Sequence, residues 1–239
     1  MDLENTININ SNIPEYLSLF IHYQLEKIDE SQINEILFDK IKVLLTYLRE
    51  KDIFEQWYQS HLARRFIFDK PISEDIEDKM ILQLKSYCSS QFISKLERMF
   101  KDIAISKTIM NEFNCSMNLN VRVLTTGVWP MQSSTFQCIL PSSVNEAYQS
   151  FRSFYLKKYN GRSLTLQSNC GTADLSALFY DQSNKTMKYT LNVSTHQMVI
   201  LMIFNTNKSS YSLEVSFRFK LFDLITLFIE GDSTADKYQ

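Results

Sequence analysis

No glycine precedes residue 127. The chain has 239 residues but only four glycines, Gly127, Gly161, Gly171 and Gly231, and only Pro14 and Pro71 interrupt its first 126 residues. Such a stretch reads as helical, because the two strongest breakers of regular structure are almost missing from it. Histidine is scarce too. His22, His61 and His196 form neither HExxH nor HxH, and none has a cysteine close in sequence, so nothing supports a metal site or a Cys–His nucleophile. The four cysteines, Cys88, Cys115, Cys138 and Cys170, make no CxxC pair, which argues against a zinc ribbon and for reduced intracellular thiols. The glycines make no phosphate-cradling loop. The formal net charge of −2 leaves no nucleic-acid footprint. The best apolar run, 217–229, is interrupted by Arg218, Lys220 and Asp223, too polar to span a bilayer. The opening MDLENTININ lacks the basic region and apolar run of a signal peptide. These absences predict a cytoplasmic or nuclear protein that is not an enzyme, holds no cofactor or metal and uses neither nucleic acid nor membrane.

Helical periodicity fills the first half. Pro14, with Asn12 before it, suits the start of a helix whose apolar face holds Tyr16, Leu17, Phe20 and Ile21. A second helix is expected over 33–66, where Leu37, Ile41, Leu44 and Leu48 recur, followed by Phe54, Tyr58 and Leu62. Lys70-Pro71 ends it. Ser73 is a good N-cap for a third helix, and its acidic first turn suits the positive end of the dipole. From Ile76 an apolar residue follows every four positions through Met80, Leu84, Cys88, Phe92 and Leu96 to Phe100. A stripe of that length needs a partner helix, so residues 1–113 read as a helical bundle.

The period then changes. Residues 119–126 alternate like a strand, ending at Gly127-Val128-Trp129-Pro130. Trp129 is expected to pin that strand end to a neighbouring helix, and Trp57 to fill the core. Ser143 with Glu146 makes a capping box for a helix that stops at Asn160-Gly161. Strands are expected at 163–167, 173–180 and 187–193, the last two forming a hairpin, and Ser194 or Thr195 can cap a further apolar helix. One helix covers only one face of a four-stranded sheet, and nothing covers its edges. Unpaired edges either are blunted or accept a partner's strand. The run 173–180 carries no blunting proline or lysine, so the small sheet reads as a docking surface. Two basic clusters, His61 with Arg64 and Arg65, and Lys157, Lys158 and Arg162, lie near expected helix ends, where the dipole favours cations. If they meet in space, they form a patch for an acidic protein.

Three stretches carry a resemblance: EKDIFEQWYQSHLARRF (50–66), VRVLTTGVWPMQSSTFQC (121–138) and FRSFYLKKYNGRSLTLQSNCGTADLSALFY (151–180). LNVSTHQMVILMIFN (191–205) extends it. Together they resemble the cullin homology region in its cullin-3 form, nearly in register from residue 14 to 205. The resemblance implies an α+β chain: a helical bundle, a small four-stranded α/β domain over 119–193, and the start of a winged helix over 194–239 with a divergent tail. It implies a non-catalytic scaffold of a cullin-RING ubiquitin ligase, acting in protein degradation. A RING-box subunit would add a strand to the sheet, and the E2 enzyme would arrive through that subunit. By position, Val121, Val123, Leu164, Leu166, Leu175 and Leu178 would hold the RING strand, with Arg64 and Arg65 as candidates for contact with the E2 enzyme or the ubiquitin-like modifier. Three departures stand out. The adaptor-binding helical repeats and the second winged helix with the modifier-accepting lysine are absent from this sequence, and Val128 stands where the family usually has tyrosine. The alternative expectation is therefore an inactive or regulatory remnant that assembles no working ligase.

Overall fold

Eight helices and one hairpin account for the regular structure among the described residues, which in this computed structural model are 3–27, 35–68, 74–114, 118–131, 138–180 and 186–204. The chain divides into two compact units, Met1–Gln132 and Ser133–Gln239. No helix of the described residues is long and apolar enough to cross a membrane.

The first unit is helical. After the short α1 (Leu3–Ile7), α2 (Ile13–Lys27) carries Pro14 in its first turn, where a missing N–H costs nothing. Leu17, Ile21 and Leu25 face inward, but Tyr16 and Phe20 of the expected apolar face are exposed. The single helix expected over 33–66 is two, α3 (Glu35–Tyr47) and α4 (Lys51–Ile67). The reason is a side chain supplied from elsewhere. Asn8 donates to the Tyr47 carbonyl at 2.8 Å and accepts from the Arg49 N–H at 3.0 Å, so the backbone groups freed by the break are satisfied. The long third helix also divides, into α5 (Glu74–Leu84) and α6 (Ser90–Glu112). Ser89 caps α6 by accepting from Phe92 N, while Glu55 of α4 accepts from the Ser89 N–H at 2.6 Å and its hydroxyl at 2.8 Å. Ser73, the expected N-cap of α5, lies outside the described residues.

The four-residue stripe survives this break. Ile76, Met80 and Leu84 of α5 and Phe92 and Leu96 of α6 are buried in one core with Phe54, Tyr58 and Leu62 of α4, whereas Cys88 and Phe100 are half-buried. Trp129 joins that core, as expected, and Trp57 does not: it is 39% exposed, stacked on His61.

A charged pair sits inside the same unit. The Arg65 guanidinium makes a two-pronged bond to Glu77 of α5, at 2.5 and 3.1 Å, with both side chains only 1% exposed. Burial works against the Arg65 charge, and the Glu77 carboxylate overcomes it, leaving the guanidinium's pKa above its ordinary value. Arg65 also donates to His22 Nδ1 of α2 at 3.3 Å, which leaves the His22 Nε2 proton for Glu26, 3.5 Å away. His61 stacks on His22 and bonds Ser18 through Nδ1 at 2.7 Å. Burial, with His22, Arg65 and Arg64 adding positive potential, pulls the His61 pKa down to about 4. The Tyr58 side chain is fully buried beneath the Arg65 guanidinium, and burial raises its pKa.

The second unit holds α7 (Ser142–Lys158), a 3₁₀ turn (Ser168–Cys170), β1 (Thr172–Tyr180), β2 (Thr186–Ser194) and α8 (Thr195–Phe204). The capping box expected at Ser143 does not form: α7 opens one residue earlier, after Pro141, with no side-chain cap. Gly161, at φ +79°, follows the helix stop as expected. A true capping box opens α8. Ser194 Oγ accepts from Gln197 N at 3.3 Å, and Gln197 Oε1 accepts from Ser194 N at 2.9 Å. The expected sheet of four strands reduces, among the described residues, to two: β1 and β2 pair antiparallel from Thr172↔Ser194 to Tyr180↔Thr186. Segments 119–126 and 163–167 carry no ladder. The divergent tail, 205–239, lies outside the described residues, as does most of the expected winged-helix start.

Three outcomes follow. Leu84→Ala, at a site with no exposure, loses about 2–5 kcal/mol in chemical denaturation. Arg65→Met strands Glu77 in the core and loses about 3–5 kcal/mol, and adding Glu77→Met recovers much of that loss. The third outcome is a pH dependence. Unfolded His61 titrates near 6.5 and folded His61 near 4, so its contribution is whole above pH 6.5 and is lost as pH falls from 6.5 toward 4. The denaturation midpoint therefore drops over that window, and less steeply in His61→Asn.

Candidate docking surfaces

Among the described residues the segment 118–126 has no strand beside it, yet it is held straight. Three residues of α6, one turn apart, take its alternate amides. Met110 Sδ accepts from Val121 N at 3.4 Å, Ser106 Oγ from Val123 N at 2.8 Å, and Asp102 Oδ2 from Thr125 N at 2.7 Å. A helix rises roughly 5–6 Å over four residues and an extended chain rises about 6.6 Å over two, so the two periods match only if the segment is extended and antiparallel to α6. Asp102 is buried and accepts two further bonds, from the Thr125 hydroxyl at 2.9 Å and from the Trp129 indole N–H at 2.9 Å. Gly127, at φ +79°, makes the turn that brings Trp129 back, closed by Val128 N on the Thr125 carbonyl. The Arg122 side chain donates to the Ile67 carbonyl at the C-terminal end of α4.

This is where Val121 and Val123 lie. They are half-buried beside α6 in the first unit, not in the β1–β2 ladder, which corrects the expected single sheet. The residues that position them, Asp102, Ser106 and Met110, were not singled out from sequence. Their signal is faint but present: two polar residues four apart, in a helix whose inward row is otherwise apolar.

In the second unit the hairpin separates two faces. Ala173, Leu175 and Ala177 of β1 are half-buried on one face, paired with half-buried Val193 and exposed Leu191 and Tyr189. Asp174, Ser176 and Leu178 lie on the exposed face, where Asn192 donates to Asp174 at 2.7 Å. Leu178 is 56% exposed, and among the described residues β1 and β2 pair only with each other. Leu164 is half-buried and Leu166 exposed, in a segment without a ladder. At the base of the hairpin Thr195 N donates to the Gly171 carbonyl at 2.9 Å, and a Cβ on Gly171 would fall 2.2 Å from Thr195 Oγ1, so a larger residue there requires the Thr195 side chain to shift.

Arg64 is exposed at the end of α4. Arg65 cannot serve as a partner contact, because Glu77 holds it inside the bundle. At the end of α7 the rings of Tyr155 and Tyr159 lie 4.9 Å apart, and the Arg162 guanidinium sits over Tyr159 at 4.7 Å. No cluster of His, Cys, Asp or Glu among the described residues is arranged to hold a metal ion.

Comparison with known proteins finds two family models in order along the chain, the second beginning inside the first compact unit. The family model described as the Cullin alpha solenoid domain matches residues 1–110, and that of the Cullin alpha+beta domain matches 123–215. Cullin-3B of Arabidopsis thaliana is 43% identical over 215 residues, covering 85% of this chain and 29% of that protein. Cullin-3 of Dictyostelium discoideum is 42% identical over 215 residues, covering 84% and 27%, and Cullin-3 of Caenorhabditis elegans is 34% identical over 242 residues, covering 85% and 30%. The chain thus spans about three-tenths of the length of these curated relatives, it resembles the cullin-3 type, and it belongs to the cullin family.

Proposed function

We propose that the chain is the RING-docking part of a non-catalytic cullin scaffold in a ubiquitin ligase, acting in protein degradation in the cytoplasm or nucleus. Membership of the cullin family carries this reading, since both cullin domain models find their residues in order along the chain. The geometry supports the mode of docking. A RING-box protein would add an extended strand to backbone left unpaired, either beside Val121 and Val123 or at the hairpin and its approach, through Leu164, Leu166, Leu175 and Leu178. Backbone pairing supplies affinity in such docking, and the alternate side chains supply selectivity. The E2 enzyme would then be carried by the RING subunit, with exposed Arg64 as a candidate contact.

The test is capture of a RING-box protein by the full chain, followed by ubiquitin transfer with an added E2 enzyme. The wild type captures it. Leu178→Pro, which removes one backbone donor from β1, loses capture while its circular dichroism stays that of the wild type. Lys85→Ala, on a surface ion pair of the first unit, serves as the unaffected control. Unchanged affinity in a folded Leu178→Pro removes β1 from the docking surface. Absence of capture by the wild type overturns the whole reading, and capture without ubiquitin transfer favours the regulatory remnant.

A further inference from the structure

The apolar face of the hairpin is covered unevenly. On β1, Ala173, Leu175 and Ala177 are half-buried. On β2, Met187, Tyr189 and Leu191 of the same face are 41%, 48% and 37% exposed, one row along the strand. The Tyr189 hydroxyl donates to Met187 Sδ at 3.6 Å, which ties that row together lengthwise. Lys188, Thr190 and Asn192 stand on the opposite face, and Lys188 is the one charge in β2. Among the described residues β2 pairs with β1 alone, so its outer edge carries no ladder. An open edge flanked by exposed apolar side chains invites pairing with another strand.

One stretch of this chain, outside the described residues, has the pattern to fill that place. YSLEVSFRFKL (211–221) alternates apolar and polar residues without a break, and aromatic residues, leucine and valine hold every apolar position. That is strand spacing. We infer that 211–221 pairs with the outer edge of β2 as a third strand and continues the apolar face of the hairpin beyond Met187, Tyr189 and Leu191. Charge selects the register. With Glu214 beside Lys188, apolar residues fall beside Met187, Tyr189 and Leu191 whichever way the strand runs. Opposite charges and aromatic–aliphatic neighbours both favour that alignment, whereas setting Arg218 or Lys220 beside Lys188 opposes like charges. A slip of one residue would put every apolar side chain on the polar face. The connection is long enough. The ten residues of α8 rise about 15 Å and the link 205–210 extends to about 20 Å, so the chain can return to the hairpin base from which α8 starts. The inference does not rest on the proposed function: the occupant is the chain itself, and the outer edge of β1 is left free.

Zero-length carbodiimide cross-linking of the full chain, read by peptide mass spectrometry, tests this, because the reagent joins an amine to a carboxylate only where the two touch. A Lys188–Glu214 link is expected in the monomer band. Leu213→Asn, which sets a polar group in the apolar row, lowers the yield of that link about fivefold while the circular dichroism stays close to that of the wild type. Exchanging the charges, Lys188→Glu with Glu214→Lys, regains the link. Amide hydrogen exchange gives a second readout: alternate amides of 187–191 exchange faster in Leu213→Asn than in the wild type. A wild-type chain in which Lys188 joins other carboxylates but never Glu214 overturns the inference. A link confined to the dimer band assigns the edge to a second copy and overturns it too, as does exchange at 187–191 that Leu213→Asn leaves unchanged.

Discussion

A backbone segment that lacks a neighbouring strand must satisfy its polar groups by other means, and this constraint shapes the junction between the helical half and the rest of the chain. Asp102 meets most of the demand. One buried carboxylate takes a backbone N–H, a hydroxyl and an indole N–H, so it fixes the end of the extended segment, the turn at Gly127 and the seat of Trp129 together. Ser106 repeats the arrangement one turn further along α6. With these bonds the segment is held straight.

The helical unit that supports this is held by two unlike things. Most of its stabilisation comes from the apolar rows of α2 to α6, which is non-directional and tolerant of register. The Arg65–Glu77 pair is directional. A buried ion pair adds little net stability, but it penalises any packing of α4 against α5 that separates the two charges. His22 and His61 extend this polar thread to α2, and the depressed pKa of His61 makes the unit sensitive to acid. Arg65 looks like a surface cation when read with its neighbour Arg64, yet Arg64 is exposed and Arg65 is buried.

The proposed scaffold role needs surfaces, and the described residues offer two. The hairpin offers a face with exposed Leu178 and edges unpaired among the described residues, and the extended segment offers another edge. Both are made of backbone, so they suit a partner that arrives as a strand.

Period and punctuation carried the local structure in sequence. The four-residue apolar interval placed the buried row through Ile76, Met80, Leu84, Phe92 and Leu96, the glycine-free first half marked the helical unit, and Gly161 marked the end of α7. Alternation at Val121 and Val123 correctly implied an extended chain. It could not say what lay beside it, because a strand pinned by a helix and a strand in a sheet share one period of two. The breaks that divide the two longest expected helices depend on Asn8 and Glu55, which come from distant positions in the chain. The burial of Arg65 depends on Glu77 arriving from the next helix, and Trp57 stays partly exposed, stacked on His61. Local pattern sets which residues can face a core, and only the tertiary arrangement decides which of them find a partner there.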